Sequence, residues 1–164
     1  MTFTFDAEFE RDSVIQLIDD IEKCKSNNIT IYFSSTGGIV SYAELLIDYI
    51  NRQKKNILLI AYYFIESCAF DFFIKAKCKK EIKDTCITMV HLSKPIIDGK
   101  MITKIGRKKH PQHIEFFNQI DSTNKGYCEF YRKIGLPEDY MKKIEKGEDV
   151  KIPVDLMRKI IKRE

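Results

Sequence analysis

The chain has 164 residues, 44% hydrophobic and 32% charged, with a formal net charge of +4. That is long enough to bury one core, and it is neither a disordered nor a fibrous composition. No apolar run approaches the ~18 residues of a membrane span, so a membrane is not an expected partner.

The first residues, MTFTFDAEFERDS, lack a basic stretch followed by an apolar one. No signal peptide is expected, and a cytoplasmic location is the default. Five cysteines, at positions 24, 68, 78, 86 and 128, form no CxxC pair. An odd count argues against a disulfide framework and a zinc site. Reduced thiols fit, and no metal or cofactor is expected. Lys and Arg gather in the second half, around 100–109 and 142–164, which invites a nucleic-acid reading. From Glu138 onward, however, acids are interspersed with the lysines, as on a solvated helix face. No RNA-binding aromatic signature is present, so nucleic acid is not an expected partner.

In chain order, Thr2–Phe5 reads as a short strand with alternating Phe. Asp12–Lys25 reads as a helix with Val14, Ile15, Leu17, Ile18 and Ile21 on one face and Asp12 as its cap. Ile29–Phe33 is a strand, and Thr36-Gly37-Gly38 a tight turn. Val40–Arg52 is a helix. Ile57–Phe64 is a nearly all-apolar strand, the pattern of a strand covered on both faces. Ser67–Lys77 is a short helix, and Lys80–Lys83 and Cys86–Val90 are strands. Lys94–Pro111 reads as a loop or flexible arm. A long helix follows at Pro111–Ile134, then helices at Pro137–Lys146 and Pro153–Arg163. Alternation of this kind predicts a parallel sheet covered by helices in a single α/β domain over residues 1–164.

Three features fall at the C-terminal ends of predicted strands, where ligands bind in open α/β sheets. The first is Ser34-Ser35-Thr36-Gly37-Gly38-Ile39. Its glycines permit a backbone path closed to other residues and leave N–H groups that can stabilise an oxyanion. Read alone, it is equally an ordinary strand-to-helix turn. The second is Glu66-Ser67-Cys68-Ala69. Ser67, between a buried strand and a helix, is either a nucleophile at the top of the sheet or a plain N-cap. The third is His91, closing Ile87-Thr88-Met89-Val90-His91. It is either a general base or a structural histidine. His110 and His113 flank Pro111 in a basic region and read as exposed.

The order strand, Gly-Gly, helix, strand, Ser, helix, strand, His resembles the proteolytic subunit of the Clp protease, ClpP, and its phage- and plasmid-encoded relatives. There a strand ends in N-S-P-G-G, an A-S-M-G motif carries the nucleophile, and M-I-H closes the next strand. Here these are Ser34-Ser35-Thr36-Gly37-Gly38, Glu66-Ser67-Cys68-Ala69 and Met89-Val90-His91. The resemblance extends over roughly residues 2–160.

It implies a ClpP/crotonase-like fold, a repeated ββα superhelix with a protruding handle helix at about 94–134. It implies a serine peptidase acting on polypeptides, with Ser67 as nucleophile and His91 as base. The amides of Ile39 and Cys68, with Gly38 adjoining, match the oxyanion hole. The family's acid falls within Gly147–Ile152, where Asp149 is chosen over Glu148. Such an acid would hold the imidazole in its working tautomer. A homo-oligomeric ring and an AAA+ unfoldase are the implied partners. The chain starts close to its first strand, so the family's axial docking loops are expected to be short.

The departures are specific. Thr36 replaces the turn's proline, and Glu66 stands where a small residue is usual. Asp71 lies one helical turn after Ser67, where it either repels the oxyanion, acts on the histidine, or points into an oligomer contact. Phe70, Phe72 and Phe73 make the serine helix bulky, which suggests a narrow or degenerate pocket. Ile114, Phe116, Phe117, Ile120, Tyr127, Phe130, Tyr131 and Ile134 exceed what one surface helix buries alone. They point to a subunit contact, or else pack on the domain itself. Glu66 and Asp71 keep open a catalytically silent ring subunit. A crotonase-type acyl-CoA enzyme is a third reading, disfavoured by the short chain and by the Ser–His order.

Overall fold

Strand and helix alternate from the first residues, as the periodicity predicts. The computed structural model describes residues 1–102 and 106–163. The elements are β1 (Thr2–Asp6), α1 (Arg11–Lys23), β2 (Asn28–Ser35), α2 (Val40–Arg52), β3 (Asn56–Glu66), α3 (Cys68–Lys75), β4 (Lys79–Ile82), β5 (Ile87–Val90), β6 (Ile96–Ile97), β7 (Lys100–Met101), α4 (Ile114–Lys133), α5 (Glu138–Glu145), β8 (Val150–Lys151) and α6 (Val154–Ile161). They form two units, residues 1–90 with 151–164, and residues 91–150. Among the described residues no helix is long and apolar enough to cross a membrane. The cysteines are free thiols.

The first unit is built on a sheet of order β1-β2-β3-β5-β8, with β4 also paired to β3. The pairs β1–β2, β2–β3, β3–β4 and β3–β5 are all parallel. One face of the central strands is buried throughout, with Ile29, Ile31 and Phe33 of β2 beside Ile57, Leu59 and Ala61 of β3. The expected cover on both faces is incomplete, since Thr30 and Leu58 on the other face are half-buried and Tyr32 is 38% exposed. Phe33 lies 4.9 Å from Phe72, which lies 5.4 Å from Phe9, ring centre to ring centre. Phe5, Phe70 and Phe73 are buried as well. Each such ring stabilises the fold by about 1.5–3 kcal/mol through burial.

β3 serves two partners. Leu58–Ala61 pair with Lys79–Ile82, and Phe64–Glu66 pair with Ile87–Met89. Between these stretches the register against β2 shifts, from Phe33↔Ala61 to Ser35↔Ile65. A bulge of this kind bends a strand and re-aims the residues beyond it. Ser67 is the first residue past the end of this strand.

Asp12 is not the cap of α1. The N-cap is Glu10, whose N–H donates to Ser13 Oγ at 3.2 Å, while Ser13 Oγ donates to Glu8 O at 2.7 Å. Ser13 satisfies both groups, which leaves Asp12 exposed in the first turn. The other end of α1 is held by Lys55, whose Nζ donates to Ile21 O and Cys24 O at 2.5 and 2.7 Å. A cation there satisfies orphan carbonyls at the negative end of the helix dipole.

In the second unit, the segment expected as a loop over 94–111 contains a small antiparallel hairpin, β6–β7. Its turn is Asp98-Gly99, with φ of 49° and 73°, and Asp-Gly is the usual pair for such a two-residue turn. Residues 103–105 of that segment lie outside the described residues. α4 begins three residues later than expected because Pro111–His113 form a separate 3-10 turn. Its apolar side chains divide. Phe117 and Tyr131 are buried, Ile120, Tyr127, Phe130 and Ile134 are half-buried, and Ile114 and Phe116 stand 60% and 39% exposed.

Candidate active site

The first unit holds the glycine turn and the serine. β2 ends at Ser35, whose Oγ accepts from Gly37 N–H at 3.1 Å. Gly37 and Gly38 follow at φ of 113° and 131°, conformations that a side chain would strain. Gly38 is needed for a second reason. A Cβ there would sit 2.6 Å from Phe9 N and 2.7 Å from Phe9 O. The turn is laced to Phe9, with Phe9 N–H donating to Gly37 O at 2.7 Å and Ile39 N–H to Phe9 O at 2.8 Å.

Ser67 lies between β3 and α3 at φ 57° and ψ −132°. A serine at positive φ costs roughly 1–3 kcal/mol, and such strain persists only where the surroundings impose it. The plain-cap reading does not hold, because the Ser67 side chain makes no cap hydrogen bond. Its backbone is anchored by its N–H, which donates to Met89 O at 3.0 Å. Gly37 lies directly against the side chain, as a Cβ on Gly37 would meet Ser67 Oγ at 3.2 Å. The strained strand-to-helix turn is the geometry that presents a nucleophilic hydroxyl at the top of a sheet.

This lacing narrows the set of amides expected to serve as oxyanion donors. Ile39 N–H already donates to Phe9 O, so that amide is occupied. Of the expected donors, Gly38 and Cys68 remain, Cys68 directly following Ser67 in the chain. Cys68 Sγ–H reaches Gly38 O at 3.6 Å and ties the two strand ends together. Burial, and next the Asp71 carboxylate, push the Cys68 thiol up to about 12. It stays protonated near neutral pH. Asp71 is 5% exposed, so it does not reach out to an oligomer contact. Phe70, Phe72 and Phe73 spend their bulk in the core.

The second unit holds His91, directly after β5, and Asp149. His91 Nδ1 lies 2.9 Å from Leu92 O. Asp149 Oδ1 accepts from Lys94 Nζ at 2.8 Å. That bond and the lysine charge hold the Asp149 carboxyl below its ordinary value, with a smaller contribution in the same direction from His91. Glu148 is exposed, its N–H donating to Lys143 O at 3.1 Å. Next to the His91 segment, a cleft of about 810 Å³ is lined by Leu92, Ser93, Lys94, Asn124 and Cys128 among others.

Two solved structures resemble the chain over nearly its whole length. One is a ClpP1 N165D mutant from Listeria monocytogenes, with a TM-score of 0.63 and 17% identity, covering 97% of this chain and 86% of that one. The other is the ClpP protease catalytic domain from Plasmodium falciparum, with a TM-score of 0.64 and 17% identity, covering 98% and 81%. The chain has the ClpP fold. No family model and no curated protein matches the sequence. At this identity the ClpP likeness is one of backbone path, and the chemistry rests on the side chains themselves.

Within the ClpP fold, Gly37, Gly38, Ser67 and Cys68 stand together in the first unit, and His91 with Asp149 in the second. The sequence reading missed Phe9, Leu92, Lys94 and Asn124. None of these four carries a local pattern that marks it.

Proposed function

We propose that the chain is a serine endopeptidase that hydrolyses peptide bonds in unfolded polypeptides or short peptides. The observation that carries this reading is the backbone of Ser67, held at positive φ between β3 and α3 with its hydroxyl against Gly37.

Ser67 Oγ attacks the carbonyl carbon while His91 Nε2 takes its proton. The carbonyl oxygen becomes an oxyanion, and the amides of Gly38 and Cys68 donate to it. Collapse of this intermediate breaks the C–N bond, and His91 returns its proton to the leaving amine. Water, deprotonated by His91, then attacks the acyl-serine and releases the second product and Ser67. The carboxylate of Asp149 stabilises the imidazolium across space. A homo-oligomeric ring enclosing the sites belongs to the same proposal, supported by the exposed Ile114 and Phe116 on α4. An AAA+ unfoldase would then deliver unfolded chains.

The test is labelling by a fluorophosphonate. Wild type should label and Ser67→Ala should not; equal labelling of the two sinks the proposal. A second reading is a silent ring subunit. It is favoured by the pairing of Asp149 with Lys94 rather than with the His91 ring. It predicts normal assembly without labelling at Ser67.

A further inference from the structure

His91 is oriented by its neighbour in the chain. A carbonyl oxygen only accepts, so the 2.9 Å approach of His91 Nδ1 to Leu92 O is a hydrogen bond when Nδ1 carries the proton. Nε2 is then the basic nitrogen, the tautomer a general base requires. The Leu92 carbonyl belongs to the same planar peptide group as Ser93 N–H. That N–H donates to Asn124 Oδ1 at 2.8 Å, and Asn124 Nδ2 donates back to Ser93 O at 3.0 Å. A side-chain amide on α4 thus grips both backbone groups of Ser93, much as a neighbouring strand would. Because the peptide is rigid and trans, holding its N–H on one side aims its C=O to the other. The row from Asn124 Oδ1 through the peptide to His91 Nδ1 also polarises in one sense, which strengthens each bond.

We propose that Leu92 O is the group that orients His91 for the reaction, and that Asn124 is the positioning residue that keeps it aimed. This rests on the peptidase reading above. Asp149 then acts only across space, because Lys94 holds its carboxylate.

Two readouts test this. The first is the rate of fluorophosphonate labelling at Ser67. A carboxylate bonded to the imidazole is worth about 10⁴-fold when changed to the amide. Asp149→Asn should instead lose less than about tenfold, whereas Asn124→Ala should lose up to about 10²-fold through misplacement. Asn124→Asp keeps the acceptor for Ser93 N–H and should restore most of the rate. The second readout is the ¹⁵N shifts of the His91 ring, which report the tautomer without any turnover. The Nδ1–H form should dominate in wild type, Asp149→Asn and Asn124→Asp, and be lost in Asn124→Ala. Far-UV circular dichroism identifies a variant that fails to fold, and Asn124→Asp then carries the comparison. A 10⁴-fold loss in Asp149→Asn, or loss of the Nδ1–H form there, overturns the proposal. So does an Asn124→Ala chain that folds and keeps both tautomer and rate. If wild type does not label, the peptidase reading fails, while the ring shifts still decide whether Leu92 and Asn124 orient His91.

Discussion

Gly37 and Ser67 touch so closely that a Cβ on Gly37 would stand 2.8 Å from Ser67 Cβ. The glycine is therefore what allows the turn to lie against the serine. Gly37→Ala meets this clash and also a φ of 113°. The strain alone costs about 1–3 kcal/mol. The variant should melt several degrees lower and lose fluorophosphonate labelling. Unchanged labelling would mean that the turn does not hold Ser67.

Ser67 itself sits in a strained backbone conformation. Ala keeps the strain of φ 57° and Gly relieves it. Gly also orders more freedom on folding, at roughly 0.5–1 kcal/mol. Relief should win, so Ser67→Gly should melt about 2–4 °C above Ser67→Ala for each kcal/mol gained. Neither should label. A lower melting point for the glycine variant would contradict a strained serine.

The Lys94–Asp149 pair makes a pH-dependent contribution. Its folded carboxyl lies below the ordinary 3.8, chiefly through the bond from Lys94. The stabilisation is therefore complete above the unfolded value and is lost as pH falls through the folded one. With side chains 33% and 57% exposed, the pair is worth no more than about 1 kcal/mol. Lys94→Met should raise the Asp149 carboxyl toward its ordinary value in a ¹³C titration. The stability difference from wild type should be present at pH ~7, shrink in high salt, and close in strong acid. A difference that persists in acid would assign the effect to packing.

Cys68 sits beside Ser67 and is expected to be inert. Burial pushes its thiol up to about 12, and that of Cys86 likewise. Iodoacetamide at pH ~8 should leave both unmodified in the folded chain and leave Ser67 labelling intact. Peptide mapping that finds Cys68 alkylated as fast as an unfolded control would show that the strand end opens.

Assembly is the remaining expectation. Ile114 and Phe116 stand exposed on α4. If these residues meet another copy, a doubly charged variant, Ile114→Asp with Phe116→Asp, should lower the particle mass in light scattering. Equal masses would remove α4 from the contact.

Residue pattern by itself determined the run of elements from β1 to β5. Val40–Arg52 was readable to the residue, and the apolar run of β3 announced a central strand. Such signals are local, because period and turn chemistry depend on neighbours in the chain. The pattern also marked Gly37, Gly38, Ser67 and His91 through their order at strand ends. Tertiary structure alone decided the rest. Phe9, some 28 residues before Gly37, occupies the Ile39 amide. Lys94 takes Asp149 across 55 positions, and Asn124 grips Ser93 across 31. No local pattern encodes these partners, since each hydrogen bond exists only once folding has brought distant segments within about 3 Å. The glycine beside the serine was thus visible as a turn in the sequence, while its close approach to Ser67 was set by the sheet.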